Sequence, residues 1–229
     1  MSIKIPFHIC VIPDGNRRWA RNKNLPLFEG HRQGFLKVLE LIKWCQKRGI
    51  KILTIFCFST ENWNRSKQEV NYLMKLFKNA LKKEIKNLQE NNIQVKIIGE
   101  KEKLPLELQK LIQQLEEFQP KNVNLFLNLA ISYGGRWDII QAVKKIIKDK
   151  IPLNKINEKL FEKYLSTFPL PFPDLLIRVG GEIRISNFLL WQIAYSELYF
   201  CPKLWPDFTE EDFDLILEEF SQRERRFGR

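Results

Sequence analysis

Histidine is almost missing from this chain. Its 229 residues hold two, His8 and His31, which speaks against a histidine-built zinc centre. Cysteine is sparse and scattered: Cys10, Cys45, Cys57 and Cys201 form no Cys-x-x-Cys pair. Three lie in apolar runs and Cys45 closes an amphipathic one. They read as buried thiols of a cytoplasmic protein, not as a disulfide framework or a metal site. No apolar run is long enough to span a bilayer. Lys4, Pro6 and Pro13 interrupt the start of the chain, so no signal peptide is read there. The Walker A phosphate loop, the Gly-x-Gly-x-x-Gly fingerprint and the Gly-x-Ser-x-Gly elbow are all absent. Nucleotide folds and the α/β-hydrolase elbow lose support accordingly. Internal repeats and low-complexity linkers are also missing, and the length suits one domain over residues 1–229.

What the chain has in excess is positive charge. Lysine and arginine number 38 against 27 acids, a net charge of +11. That favours phosphorylated or polyanionic partners, or an anionic membrane surface, without choosing among them.

Short runs, often apolar throughout, recur at Phe7–Ile12, Ile52–Phe58, Val95–Ile98, Val123–Ile131, Leu175–Arg178 and Leu198–Cys201. Strands of this kind belong to a sheet covered on both faces. Helical periodicity alternates with them over Gly34–Arg48, Gln68–Glu90, Leu106–Phe118, Trp137–Lys148 and Glu210–Arg225. The alternation predicts an α/β fold with a mostly parallel sheet flanked by helices. Residues 149–174, crowded with lysine, asparagine and proline, read as a crossover.

Chemistry-bearing residues gather where strands end. Asp14-Gly15-Asn16-Arg17-Arg18-Trp19 follows the first apolar run. The carboxyl end of a parallel strand is where α/β proteins bind ligands, and free N–H groups at a helix start favour an anion. Arginines there can clamp phosphate oxygens, and Asp14 can hold a divalent cation. A plain turn is the other reading. Ser59-Thr60-Glu61-Asn62-Trp63-Asn64-Arg65 follows the second run, with Arg65 as an anion contact and Trp63 as a flat apolar wall. An ordinary capped loop is its alternative. Arg178-Val179-Gly180-Gly181-Glu182-Ile183-Arg184-Ile185-Ser186 follows the run at Leu175, and Arg178, Arg184 and Ser186 would form a second anion pocket. Glu197 lies among aromatic and apolar neighbours and needs a partner if buried, either a metal ion or a salt bridge. The tail Arg223-Glu224-Arg225-Arg226-Phe227-Gly228-Arg229 is a solvated end or a basic interaction patch.

Together these motifs resemble the cis-prenyltransferase family. They are Asp14-Gly15-Asn16-x-Arg18-Trp19, Phe58-Ser59-Thr60-Glu61-Asn62-Trp63-x-Arg65, Arg178-x-Gly180-Gly181-Glu182-x-Arg184-Ile185-Ser186-Asn187 and Leu204-Trp205-Pro206. The resemblance runs from about residue 7 to the end, and the Asp-Asp-x-x-Asp motif of trans-prenyl synthases is absent. It implies a single domain with a six-stranded sheet, a deep apolar tunnel and a homodimer. It implies sequential cis-condensation of isopentenyl diphosphate onto farnesyl diphosphate, giving a long-chain, undecaprenyl-type diphosphate that serves as a lipid-carrier precursor for cell-wall polysaccharide.

By matching position, Asp14 and Asn62 would be catalytic. Gly15, Asn16, Arg17, Arg18, Trp19 and His31, with the Gly30 backbone, would surround the farnesyl diphosphate. Ser59, Thr60, Glu61, Trp63 and Arg65 would also contact substrate, and Arg178, Arg184, Ile185 and Ser186 would hold isopentenyl diphosphate. Magnesium is expected at Asp14, with Glu197 contributing from the dimer interface. The tail 221–229 would reach the partner's site through Arg226 and Gly228. A cytoplasmic enzyme is implied, peripheral at the inner membrane face when product leaves. A neutral amide is a poor base, so Asn62 is expected to orient the substrate, with a diphosphate oxygen as proton acceptor. The apolar face of Gln68–Glu90 would line the tunnel, about half of it remaining plain core. Four positions depart from the family: Leu27 for an arginine, Ile183 for a histidine, Pro13 for a methionine and Ser66 for a proline.

Two other readings compete. A nucleic-acid-binding protein would spread its cations over one continuous face, whereas here they cluster at strand ends beside an acid, so no nucleic acid is expected. A non-catalytic partner subunit would lack the Asp14 motif, which this chain has.

Overall fold

In the computed structural model, residues 4–224 are described. Arg226, Phe227 and Gly228 lie outside them. The apolar runs form six strands: β1 (His8–Pro13), β2 (Ile52–Ser59), β3 (Ile93–Ile98), β4 (Leu125–Tyr133), β5 (Leu175–Val179) and β6 (Glu197–Cys201). They lie in the order β3-β4-β2-β1-β5-β6, and every pairing is parallel. The helices are α1 (Asn16–Asn22), α2 (Leu27–Lys47), α3 (Lys67–Glu90), α4 (Leu106–Glu117), α5 (Gly135–Lys148), α6 (Glu158–Glu162) and α7 (Glu210–Gln222).

Side chains alternate across the sheet, as the pleat requires. Ile9 and Val11 of β1 join a core shared with α2, α3, α4 and α7, whereas Cys10 and Ile12 join a second core with Phe188, Leu189 and Ile193. Both faces are therefore covered, which is why the strands read as unbroken apolar runs. Cys10, Cys45 and Cys201 are buried, Cys57 is half-buried, and all four are free thiols. Residues 149–174 hold α6 and carry the chain from β4 to β5, past the β2–β1 pair.

Helix α2 starts seven residues earlier than periodicity predicts. Gly30 and Gly34 interrupt its apolar pattern, and each costs about 1 kcal/mol of helix propensity against alanine. The reason is α1, which crosses against them. A Cβ on Gly30 would sit 2.1 Å from the Asn16 carbonyl oxygen, and one on Gly34 would sit 2.3 Å from Asn16 Oδ1. Close approach of two helices decides the residue there, overriding local preference.

One polar network is sealed in the sheet. His8 is 1% exposed; its Nδ1 donates to the Pro171 carbonyl at 2.7 Å and its Nε2 accepts from Thr54 Oγ1 at 2.8 Å. The Asn128 amide donates to the same hydroxyl at 3.0 Å. Both ring nitrogens are satisfied in the neutral form, and burial pushes the His8 pKa down to about 4.

Candidate active site

Strands β1, β2, β4 and β5 end on one edge, with Pro13 level with Val179 and Ser59 with Tyr133. The loops leaving that edge form the mouth of a cavity of about 960 Å³.

The Asp14 loop is held from three sides. Gly15 N–H donates to Asp14 Oδ1 at 2.6 Å, Arg178 Nη2 donates to Oδ2 at 2.9 Å, and Trp205 N–H donates to the Asp14 carbonyl at 3.0 Å. Gly180 adopts φ 124, and a Cβ there would meet Asp14 Cβ at 2.9 Å, so glycine lets the β5 loop close on Asp14. Trp205 is fully buried and donates from Nε1 to the Gly34 carbonyl at 2.8 Å. The Leu204-Trp205-Pro206 motif is thus the floor that ties the Asp14 loop to α2.

Arg178 is 3% exposed. Besides Asp14 it donates from Nη1 to Ser186 Oγ at 2.7 Å and to the Arg184 carbonyl at 2.5 Å. Arg18 donates to the Gly180 carbonyl at 2.6 Å and lies 3.5 Å from both Asp14 and Glu182. Arg17, Arg21 and Arg65 complete a cationic rim.

Glu69, which sequence reasoning missed, organises the other side of the mouth. It is 6% exposed, and its Oε1 lies 3.1 Å from His31 Nε2, 3.0 Å from Arg65 Nη1 and 3.9 Å from Arg17 Nε. In sequence Ser66-x-x-Glu69 reads as a capping box. Ser66 does cap α3, accepting from Glu69 N–H at 3.3 Å, which explains the departure from proline. The Glu69 carboxylate, however, turns to the Arg65 and Arg17 guanidiniums and the His31 ring. Burial lowers the His31 pKa while Glu69 raises it in opposition, the burial being the larger effect. The Arg65-to-Glu69 spacing of four residues was the available signal.

Asn62 lies in the cavity wall, and its Oδ1 accepts the Ser59 N–H at 3.1 Å. Ser59, Glu61 and Ser186 also line the wall. Several expected residues do not. Trp63, half-buried, donates to Ser132 at 2.9 Å and packs edge-on against Phe58 at the margin of the core, outside the cavity lining. Trp19 donates to Asp207 at 2.7 Å. Thr60 and Ile185 stand behind the lining, and Leu27 is half-buried at the start of α2. Arg184 turns outward to Glu182 at 2.5 Å, and Ile183 is 81% exposed. Glu197 opens β6 and pairs with Arg223 at 3.1 Å. It is level with Leu175, four residues before Val179, or roughly 13 Å from the Asp14 edge at about 3.3 Å per residue. One chain does not bring Glu197 to Asp14.

Below the mouth the wall becomes apolar: Phe35 and Val38 of α2, Leu73, Leu76, Phe77, Ala80 and Leu81 of α3, with Ile55, Leu129 and Ile131 of the sheet. Of the apolar face expected along α3, Leu73, Phe77 and Leu81 line the cavity, whereas Val70, Met74, Ile85 and Leu88 do not and pack in the core. Among the described residues no cluster of three histidine, cysteine or acidic side chains forms a cage for a metal. Asp14 offers a single carboxylate about one-third exposed at the mouth. That donor set suits Mg²⁺, which binds through one or two carboxylates together with substrate phosphates and water.

Fold and site together define a class: a parallel α/β protein whose cationic strand-end mouth opens into an apolar chamber, shaped for an anionic head on a hydrocarbon tail. The chain belongs to the family described as "Putative undecaprenyl diphosphate synthase", matching it over residues 12–228. It is 47% identical to the ditrans,polycis-undecaprenyl-diphosphate synthase, (2E,6E)-farnesyl-diphosphate specific, of Legionella pneumophila strain Paris, over 100% of this chain and 98% of that one. Lavandulyl diphosphate synthase from Lavandula x intermedia, solved with dimethylallyl diphosphate, superposes with a TM-score of 0.93 at 39% identity over 98% of this chain and 99% of that one. A probable undecaprenyl diphosphate synthase from Campylobacter jejuni superposes with a TM-score of 0.82 at 36% identity, covering both chains completely.

Proposed function

We propose that this protein, one domain over residues 1–229, condenses isopentenyl diphosphate repeatedly and in cis onto farnesyl diphosphate, yielding an undecaprenyl-type diphosphate. The cavity carries this reading: its mouth is lined by arginines and its depth by leucine, phenylalanine and alanine. The relatives' names agree with it. In each cycle the allylic carbon–oxygen bond breaks, the isopentenyl double bond attacks that carbon, and a proton is lost to form the new double bond. Arg17, Arg65 and His31 would receive the allylic diphosphate, and Arg178 and Ser186 would face the second one. Arg17 Nε and Arg178 Nε are buried without a hydrogen-bond partner among the described residues, an arrangement that costs free energy until an acceptor arrives. Asn62, its oxygen already engaged, would orient substrate through its amide hydrogens, leaving a diphosphate oxygen to take the proton. Asp14 would hold Mg²⁺, which when bound stabilises the charge developing on the departing diphosphate. Each added five-carbon unit that enters the apolar chamber contributes roughly 4 kcal/mol, at about 0.8 kcal/mol per carbon.

The reading includes a homodimer. β6 is an edge strand, and Leu198 within it and Tyr195 just before it are 38% and 72% exposed. An apolar sheet edge of that kind calls for a cover. A second copy would also bring its Glu197, which within one chain stands away from Asp14, and its tail residues Arg226 and Gly228 to the site. No helix among the described residues is long and apolar enough to cross a membrane, so contact with the inner membrane face would be transient, for product release. Nucleic acid is not a partner in this reading. The test is chromatography of product from radiolabelled isopentenyl diphosphate, farnesyl diphosphate and Mg²⁺. A ladder ending near eleven isoprene units is expected; no product longer than the primer would refute the proposal.

A further inference from the structure

The loop that leaves β5 bends in a way most L-residues resist. Phe188 N–H donates to the Ile185 carbonyl at 3.0 Å and closes a four-residue turn. Its two central residues, Ser186 and Asn187, stand at φ 48 and φ 62. Turns with positive φ at both central positions favour glycine, asparagine and aspartate, so Asn187 suits the bend and Ser186 does not. Such a conformation persists only where surrounding contacts impose it. The bend matters to the site, because Ser186 Oγ accepts from Arg178 Nη1 at 2.7 Å and both residues line the cavity.

The contacts that impose it come from Asn187. Its carbonyl accepts the Gly135 N–H at 2.6 Å and its Oδ1 accepts the Arg136 N–H at 2.9 Å, tying the turn to the start of α5. Its amide donates to Glu61 Oε1 at 2.8 Å, tying the turn to the loop after β2. Glycines make room for both ties. A Cβ on Gly134 would lie 2.7 Å from Asn187 Nδ2 and from Thr60 Oγ1, and one on Gly135 would lie 2.6 Å from Leu190 Cγ. Burial raises the Glu61 pKa, but the hydrogen bond from Asn187 and those within its own loop outweigh burial and hold the carboxyl below its ordinary value. One side chain thus joins the loops after β2, β4 and β5. Glu61 adjoins Asn62 in the chain and Asn187 adjoins Ser186, so this bond sets the spacing between the two halves of the mouth.

We propose that Asn187 is a positioning residue: its bond to Glu61 locks the turn that presents Ser186 and Arg178 to the isopentenyl diphosphate onto the loop that carries Asn62. This rests on the condensation reading above.

Steady-state kinetics of the full chain with Mg²⁺ and both substrates at pH 8 test it. Asn187→Asp keeps the acceptor for Arg136 N–H and tolerates the left-handed backbone, but sets a carboxylate against the ionised Glu61. It is expected to raise the isopentenyl diphosphate KM at least about fivefold and leave the farnesyl diphosphate KM within about twofold. Adding Glu61→Gln to Asn187→Asp restores a donor facing an acceptor with the roles reversed, and should lower the isopentenyl KM again by at least about threefold. A residue that only supports the fold, or a Glu61 that itself touches substrate, would make the second substitution a further loss. If Asn187→Asp does not fold, Asn187→Gly keeps the left-handed backbone, removes the bond and faces the same KM thresholds. A smaller rise in the isopentenyl KM, equal rises in both constants, or no rescue by Glu61→Gln in a folded Asn187→Asp protein overturns the proposal. A wild-type protein that makes no product at all sinks the condensation reading instead, and this inference with it.

Discussion

Glu69→Gln keeps the shape of the side chain and removes the one charge that faces two guanidiniums and the His31 ring. In the native protein a single carboxylate oxygen, 6% exposed as a residue, serves His31, Arg65 and Arg17. Breaking a fully buried ion pair costs about 3–5 kcal/mol. Here the side chains of Arg65 and Arg17 are 28% and 42% exposed, so water takes up part of the loss and about 2–3 kcal/mol is the expected cost. For a chain of this size that lowers the melting temperature by roughly 4–12 °C. The same three groups are proposed to receive a diphosphate, which would restore the missing negative charge. Inorganic pyrophosphate should therefore raise the melting temperature of Glu69→Gln more than that of the wild type. The His31 pKa should fall further in the variant, because the group that opposes burial is gone. Differential scanning fluorimetry with and without pyrophosphate, and NMR titration of the His31 ring, measure both. A melting temperature within about 2 °C of wild type, with equal pyrophosphate responses, would refute the idea that Glu69 holds these cations for an anion.

Four further outcomes are expected. Asp14→Asn should cut turnover by about 10²–10³, the scale of losing a preorganised charge stabiliser, and activity within tenfold of wild type would remove Asp14 from the mechanism. His8 is held neutral with its pKa near 4, below its ordinary value of about 6.5. Its contribution is whole above pH 6.5 and is lost as pH falls toward 4, amounting to about 3 kcal/mol; equilibrium unfolding of His8→Gln should show a flatter pH dependence across that window, and parallel curves would contradict this. Ala80 faces the chamber, so Ala80→Phe should shorten the product by at least one isoprene unit, and an unchanged ladder would place the chain end elsewhere. Mixing Asp14→Ala with Arg226→Ala subunits should regenerate activity as mixed dimers form, since each such dimer holds one site with neither defect; verified exchange without recovery would mean the tail does not act in trans.

Much of the fold was legible because a sheet covered on both faces leaves a plain record. Runs such as Ile9-Cys10-Val11-Ile12 cannot alternate with polar residues when each side meets a core. Six strands and the long helices follow from that record, and so does the edge where Asp14, Ser59 and Arg178 converge, because parallel strands end together. Local sequence shows which face of a helix is apolar, yet not what that face meets. Leu73, Phe77 and Leu81 line the chamber while Val70, Met74, Ile85 and Leu88 pack in the core, and one apolar stripe encodes both. The early start of α2 depended on Asn16 crossing at Gly30 and Gly34, a contact between elements. Glu69 drew no notice in the sequence, because His31, Arg65 and Arg17 come around it only in the fold. Arg184 bonds Glu182 while Arg136 lines the cavity, because side-chain direction and partners, invisible in a motif, decide which guanidinium faces it. Glu197 opens a parallel strand and so stands at the end of the sheet away from Asp14. The sequence by itself determined the strands, their common edge and the residue types gathered there; tertiary packing decided which of those side chains meet, because pairing across elements depends on register, crossing and burial that no local pattern carries.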